Sequence, residues 1–402
     1  MKLSDIIDFN PKIKLEKGEE YAFIPMENIT PDVKFVSDSE KKEWQGQSSS
    51  KFQSGDILFA RIYPCLDNRK IAVAKVDDKG FGSTEFFVLR AKKGLADQNF
   101  IYYLCTSDLI VNTATNSYVG ASGRQRADLK FIKNSVFKLP DLNNQKKIAA
   151  ILSTYDDLIE INKKRIQLLE SVAEELYKEW FVRFRFPDWE TTRFVKGVPE
   201  GWTLNKLNEI ADITYGYAFD SGRFNSEGIG KKIVRIRNIP ESISTDFTDE
   251  VVDDKYIIRN GDFLIGMDGN FHMNKWYDGE SYLVQRSCRV MAKDSLLQSY
   301  LSHAMRAPIY FYQSTIQGAT VGHLGAKHLN EIDIIIPPKK YLPLLEKLNN
   351  IDELVLNLEL SNREMQKQKN ELLPRLMSGK LSVENLDIAF SPSMQTKDNN
   401  VQ

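Results

Sequence analysis

Short segments of this chain recur in the same order about 200 residues apart. Such a repeat restricts the fold more than any single motif, because each copy has to form a similar unit. Ile24-Pro-Met-Glu-Asn-Ile29 corresponds to Val234-Arg-Ile-Arg-Asn-Ile239, and Ser54-Gly-Asp-Ile-Leu-Phe59 to Asn260-Gly-Asp-Phe-Leu-Ile265. Gln98-Asn-Phe-Ile-Tyr-Tyr-Leu104 pairs with Gln298-Ser-Tyr-Leu-Ser-His-Ala304, Gly120-Ala-Ser122 with Gly318-Ala-Thr320, and Leu129-Lys-Phe-Ile132 with Leu329-Asn-Glu-Ile332. Any one match is ordinary turn chemistry; the unbroken order implies a duplication.

Inside each copy, short β-branched and aromatic runs (57–62, 71–76 and 86–89; 233–239, 263–265 and 282–284) are separated by Gly, Asp and Asn, and they predict strands with tight turns. Around residues 99–106 and 299–306 the apolar spacing becomes helical. With 402 residues, the chain is too long for one ordinary core. The expected class is α+β, with two tandem, pseudo-repeated mixed α/β domains separated by two long helices that form an antiparallel coiled coil. The boundaries read as a first domain over 1–142, a long helix over 143–186, a linker and second domain over 187–338, a second long helix over 339–380 and a tail over 381–402. Residues 187–201 form the linker, and the polar, aperiodic end of the tail is expected to be disordered.

The two long segments carry matching seams. Ile148, Leu152, Tyr155, Ile159, Ile166, Leu169, Ala173, Leu176 and Trp180 recur at steps of four and three, interrupted by Asn162. Leu348, Ile351, Val355, Leu358, Met365, Leu372 and Leu376 do the same, with Asn362 near the middle and Lys369 as a further break. Antiparallel packing brings the two asparagines together, where they set register, because sliding the helices leaves an amide unpaired. A helix of this length is about 50 Å long and would act as a spacer.

A mean hydropathy of -0.38, with no apolar run near the length of a bilayer span and no apolar core in the first residues, argues for a cytoplasmic protein. Cys65, Cys105 and Cys288 lie far apart, and the four histidines have no ligand-like spacing, so neither a disulfide framework nor a metal site is expected. Neither a methyltransferase motif nor a Walker loop occurs. Residues 228–232 lack phosphate-loop spacing and suggest a hairpin turn. No catalytic residue is expected, and the chain reads as non-catalytic by itself.

A duplex reader needs cations for phosphates and guanidinium or amide groups for base edges, and a net charge of -1 confines any such footprint to local clusters. In the first copy a Gly-rich loop carries Ser122, Arg124, Gln125 and Arg126, followed by Lys130, and a second cluster is Arg61 with Arg69 and Lys70. In the second copy the corresponding loop carries Thr320, His323 and Lys327. The run containing Arg235, Arg237 and Asn238 and the turn containing Asn270, His272, Asn274 and Lys275 add polar candidates. The two loops differ in side chains, which predicts an asymmetric target.

Beyond these patterns, Ser54-Gly-Asp-Ile-Leu-Phe-Ala-Arg61, Gly82-Ser-Thr-Glu-Phe-Phe-Val-Leu-Arg90, Gln145-Lys-Lys-Ile-Ala-Ala-Ile-Leu152, Val198-Pro-Glu-Gly-Trp202 and Asn370-Glu-Leu-Leu-Pro-Arg-Leu-Met-Ser-Gly-Lys-Leu381 resemble the specificity subunits of type I restriction-modification systems. The resemblance runs to about residue 388. It implies two target-recognition domains that bind a bipartite duplex site with a nonspecific gap. It also implies two docked methyltransferase subunits and two motor endonuclease subunits, with S-adenosylmethionine, ATP and magnesium bound by those partners and no cofactor in this chain. The second copy departs from the first at Gly266-Met-Asp268, where the first has Ala60-Arg61-Ile62, so Arg61 of the basic cluster has no arginine counterpart there. The rival reading is an adaptor that holds two protein subunits without reading DNA.

Overall fold

The structure is a computed structural model and describes residues 1–38, 40–316, 322–390 and 394. The chain divides into two compact units. The first spans Met1–Ile161 and takes up the chain again at Arg363; the second is Asn162–Asn362. The division falls inside both long helices and not at their ends, so each unit holds part of each helix.

In the first unit α1 (Leu3–Ile6) leads into β1 (Ile7–Phe9), β2 (Glu20–Ile24), β3 (Phe35–Val36), β4 (Glu40–Glu43), β5 (Ser50–Gln53) and β6 (Ile57–Ala60). β7 (Ile71–Ala74), β8 (Lys79–Gly82) and β9 (Phe86–Ala91) complete two sheets, ordered β1-β9-β6-β7-β3 and β4-β2-β8-β5. Then come α2 (Gln98–Thr106), α3 (Asp108–Thr115) and α4 (Leu129–Asn134). β6 is apolar throughout because both of its faces are covered. Ile57 and Phe59 join the core that holds Phe100, Leu104 and Ile110 of the helices. Leu58 points the other way, to Ala22, Ile24 and Phe52. Trimming so enclosed a leucine to alanine costs about 2–5 kcal/mol.

Helix α5 (Leu142–Tyr177) opens the path to the second unit, which repeats the plan. β10 (Phe194–Val195) and β11 (Val198–Pro199) form a small hairpin, followed by β12 (Thr203–Lys206), α6 (Leu207–Ile210) and β13 (Ala211–Tyr215). Next are β14 (Phe224–Asn225), β15 (Lys231–Val234), β16 (Phe247–Thr248), β17 (Ile257–Ile258) and β18 (Phe263–Gly266). β19 (Met273–Lys275), β20 (Ser281–Leu283) and β21 (Ser287–Ala292) precede α7 (Gln298–Ala304), α8 (Arg306–Thr315), α9 (Ala326–Asn330), β22 (Asp333–Ile336) and α10 (Leu342–Met377). The sheets run β13-β21-β18-β19 and β14-β16-β15-β20-β17, with β12 paired to β22. β18 matches β6: Phe263 and Ile265 face the helical core, and Leu264 faces a separate cluster with Val234 and Trp276.

Two local expectations are corrected. The strand expected over 233–239 stops at Val234, and Ile236–Asn238 is a 3-10 turn, closed by the Asn238 Oδ1 accepting from the backbone N–H of Arg235 at 3.0 Å. Residues 228–232 are not a hairpin turn, since β14 and β15 both pair with β16 and not with each other. Residues 187–201, expected as a linker, hold the β10–β11 hairpin. Their flanks, Phe186 and Trp202, lie 5.2 Å apart and pack with Tyr341 in the second core.

The two 36-residue helices form the expected seam. In α10 the buried positions Leu348, Val355, Asn362, Lys369 and Leu376 stand seven apart, and in α5 Leu152, Ile159, Ile166 and Ala173 do the same. Pairing is antiparallel within each unit. In the first, Lys147 reaches the carbonyl of Glu384 and Asp156 meets Lys369; in the second, Asn162 meets Asn362 and the Lys347 ammonium lies over Trp180. Lys369 is tolerated at a core position because its ammonium contacts Asp156 at 2.6 Å, and that carboxylate also accepts from the Tyr103 hydroxyl. Among the described residues no helix is long and apolar enough to cross a membrane, and no group of His, Cys, Asp and Glu is arranged to hold a metal. The expected disorder at the end of the tail concerns residues that, apart from Met394, lie outside the described ones.

Candidate nucleic-acid interface

The Gly-Asp pair shared by the two copies anchors the scaffold. Gly55 and Gly261 take left-handed φ values of 89° and 92°, which glycine adopts without a Cβ penalty. The acids that follow cap the same turn: Asp56 accepts from the backbone of Gln53 and Asp262 from that of Arg259, each at 2.8 Å. Each acid also pairs with an arginine, Arg90 or Arg289, on the neighbouring strand. These locks secure one end of β6 and β18 and so align what emerges at the other.

At that other end each unit builds the same backbone junction from three distant segments. In the first, the Arg61 N–H donates to the Glu85 carbonyl at 2.9 Å, and the Ala127 N–H donates to the Arg61 carbonyl at 2.8 Å. In the second, Met267 donates to Arg286 and Leu324 to Met267, both at 2.8 Å. A bridge between Ile62 and Arg126 is matched by one between Asp268 and His323.

The side chains at the first junction converge. Arg126 donates through Nε and Nη2 to the Glu85 carboxylate at 2.9 and 2.7 Å, and Arg61 Nε donates to it at 3.1 Å. The hydrogen bonds from Arg126, opposed by partial burial and joined by those from Arg61, hold the Glu85 carboxyl below the ordinary glutamate range. Arg126 also closes a small hairpin by pairing with Val119, and Ser122 and Arg124 stand exposed on the loop it encloses. The carbonyl of Gln125 accepts from Tyr63, and its side chain is half exposed. Lys130 is exposed on the first turn of α4.

The other two expected cations of this unit lie in different surroundings. Arg69 binds the Thr106 carbonyl and Asp108, and Lys70 donates to the Met26 carbonyl at 3.1 Å. The structure also shows a groove of about 660 Å³ next to Arg61, lined by Lys12, Lys14 and Lys51. The sequence did hold a signal for it: Lys12 and Lys14 alternate with the more buried Ile13 and Leu15, which puts both ammonium groups on one exposed face.

In the second unit Asp268 accepts from both Arg286 and His323. Burial alone would raise the Asp268 carboxyl, but the bonds from Arg286 and His323 prevail and hold it below the ordinary aspartate range. Asn270 is exposed and His272 half-buried in the turn after β18, which Gln313 of α8 braces through Phe271 N and Gly269 O. Lys327 is exposed on α9, near Glu331. Arg235 and Arg237 both bind Asp246, Asn274 donates to the carbonyls of Ile239 and Pro240, and Lys275 pairs with Asp352 of α10. Together with Asn238, which closes its own turn, these residues are engaged within the unit. Thr320 lies outside the described residues.

A duplicated scaffold that presents unlike polar junctions defines a protein made of two binding modules. The family described as Type I restriction modification DNA specificity domain matches residues 1–171 and 199–350, and the chain belongs to it. Relatives include two from Methanocaldococcus jannaschii. The type I restriction enzyme MjaVIII specificity subunit is 24% identical over 409 residues, 95% of this chain and 94% of the relative. The MjaIX specificity subunit is 26% identical over 362 residues, 83% of this chain and 79% of the relative. In fold, the chain is similar to the S subunit of a type I restriction-modification system from M. genitalium, with a TM-score of 0.50, 15% identity and coverage of 97% and 96%. Membership of a DNA-specificity family does not favour the rival reading of an adaptor that holds two protein subunits without reading DNA.

Proposed function

We propose that the chain selects an asymmetric, two-part duplex site, one half-site per unit, and directs two methyltransferase subunits to it, joined by two motor endonuclease subunits when DNA is cut. In this reading the complex works in the cytoplasm, and S-adenosylmethionine, ATP and magnesium belong to the partner subunits. The observation that carries it is the shared backbone junction with unlike side chains, Arg61, Glu85 and Arg126 against Asp268, Arg286 and His323. Two units of one fold thereby offer a duplex different hydrogen-bonding groups.

Around the first junction, Lys12, Lys14 and Lys51 serve as phosphate contacts that a net charge of -1 does not suggest. Ser122, Arg124, Gln125 and Lys130 reach the duplex from the exposed loop and α4, Arg and Gln being suited to guanine and adenine edges. In the second unit the corresponding groups are Asn270, His272 and Lys327. Arg69, Lys70, Arg235, Arg237, Asn238, Asn274 and Lys275, each also engaged within its own unit, complete the proposed set of contacts, and the lengths of α5 and α10 set the gap between half-sites.

The test is to sequence methylated bases in a host expressing the chain with its partner subunits. The expected result is one recurrent motif with two different halves and a fixed gap. A contiguous motif, two identical halves or no motif would overturn the reading.

A further inference from the structure

Comparison of the two junctions shows a charge exchange at equivalent backbone positions. Glu85 and Arg286 occupy the same place, since the carbonyl of each accepts from the residue that follows β6 or β18. An acid in one unit is therefore an arginine in the other. The carboxylate has not been lost from the second unit. It stands at Asp268, the position held by Ile62 in the first, and again binds the side chain across the bridge.

Both arrangements end in the same chemistry, a sheltered carboxylate with two more exposed nitrogen groups fastened to it. The Glu85 and Asp268 side chains are 20% and 14% exposed, against 64% for Arg286 and 58% for His323. A carboxylate beside a polyanion is repelled unless cations screen it, so its use in a duplex-binding surface is to orient those cations. Arg286 spends one edge of its guanidinium on Asp268 and keeps further N–H groups for an external acceptor. His323 engages Asp268 through Nδ1, which leaves Nε2 for an external partner.

We propose that these junctions are the base-reading heads of the two units, with Glu85 and Asp268 as positioning residues and Arg286 as a specificity-determining contact for the second half-site. The proposal rests on the reading above that each unit recognises one half-site. The head of the first unit, Arg61 with Arg126, presents donors only and suits base edges rich in acceptors, such as guanine O6 and N7.

The test compares methylated motifs from hosts expressing the whole system with wild-type chain, Arg286→Ala, Arg286→Lys, Asp268→Asn or Glu85→Gln, checking by co-purification that each variant assembles. Arg286→Ala is expected to reduce discrimination about ten- to a hundredfold at one position of one half-site, leaving the other half intact. Arg286→Lys does not restore it, because an ammonium lacks the planar fork. Asp268→Asn loosens the same position, and Glu85→Gln loosens a position in the opposite half. A purely structural role would lower methylation at every site without changing base frequencies, and that outcome overturns the proposal. So does an unchanged motif in Arg286→Ala when the wild type gives a clear two-part site. A wild type without a two-part motif would instead bring down the function on which the proposal rests.

Discussion

Asn162 donates its side-chain amide to the Oδ1 of Asn362 at 3.0 Å, joining two positions 200 residues apart at matching places in the repeat. Both are buried in a seam that is otherwise mostly apolar, so one register satisfies them and a slipped one strands an amide. The Nδ2 of Asn362 has no partner among the described residues, so even the native register carries a cost. The variant with Leu at both positions is expected to unfold at higher urea concentration than wild type. A single Asn162→Leu, which leaves the other amide unpaired, should lose about 1–2 kcal/mol. Urea titration followed by circular dichroism distinguishes the two.

Lys369 and Asp156 form a buried ion pair in the first unit. Lys369→Met removes the cation and leaves the carboxylate enclosed, with an expected loss of about 3–5 kcal/mol. Adding Asp156→Leu should recover part of it, because no unpaired carboxylate remains, although the buried Tyr103 hydroxyl loses that acceptor. A double variant no more stable than Lys369→Met would show that the ion pair is not what that layer depends on.

His303 stacks on Tyr177 with its ring buried in the second unit. Burial, reinforced by the Arg306 cation and opposed by Asp352, pulls its pKa down to about 4 from an ordinary 6.5. The unfolded chain thus takes up a proton at a higher pH than the folded one does, so stability is full above pH 6.5 and declines as the pH falls toward 4. Between pH 7 and 5 the loss is on the order of 2 kcal/mol. His303→Phe should flatten the acid limb of a plot of melting temperature against pH, whereas an equally steep limb would assign it to other groups.

α5 and α10 each pass from one unit into the other as a single helix. Inserting one matched heptad in both adds about 10 Å of helix, close to three base pairs of duplex. The methylated motif of that variant is expected to keep both half-sites and widen its gap by about three base pairs. An unchanged gap would mean that the helices do not set the spacing.

Arg124 stands exposed on the loop of the first unit. Arg124→Ala is expected to weaken one half-site about five- to a hundredfold while the other half-site and thermal stability stay unchanged. Equal losses at both halves in the methylated motif would remove this loop from the reading surface.

Much of the architecture could be read from the chain because it depends on local periodicity. The ordered repeat announced two similar units. The runs at β6 and β18 announced strands, and the four-and-three seams interrupted near their middles by Asn162 and Asn362 announced the meeting of the two amides. Each of these follows from one strand or helix having to bury a particular face. Lys12 and Lys14 were legible in the same way, through alternation, although a search for arginine clusters passes over them.

The candidate site was less legible, because it is assembled from segments far apart in the chain. Sequence alone lists Arg61 and Arg126 as cations and Arg235, Arg237 and Lys275 as equals to them. Only the sheet topology brings Glu85 between the first two, turns the second pair onto Asp246 and sends Lys275 to Asp352. The amino-acid order therefore determined the duplicated elements and the helix register, while the tertiary structure decided which charges meet. The reason is physical: periodicity is set by neighbours along the chain, whereas an ion pair depends on a distance that only the packed sheets supply.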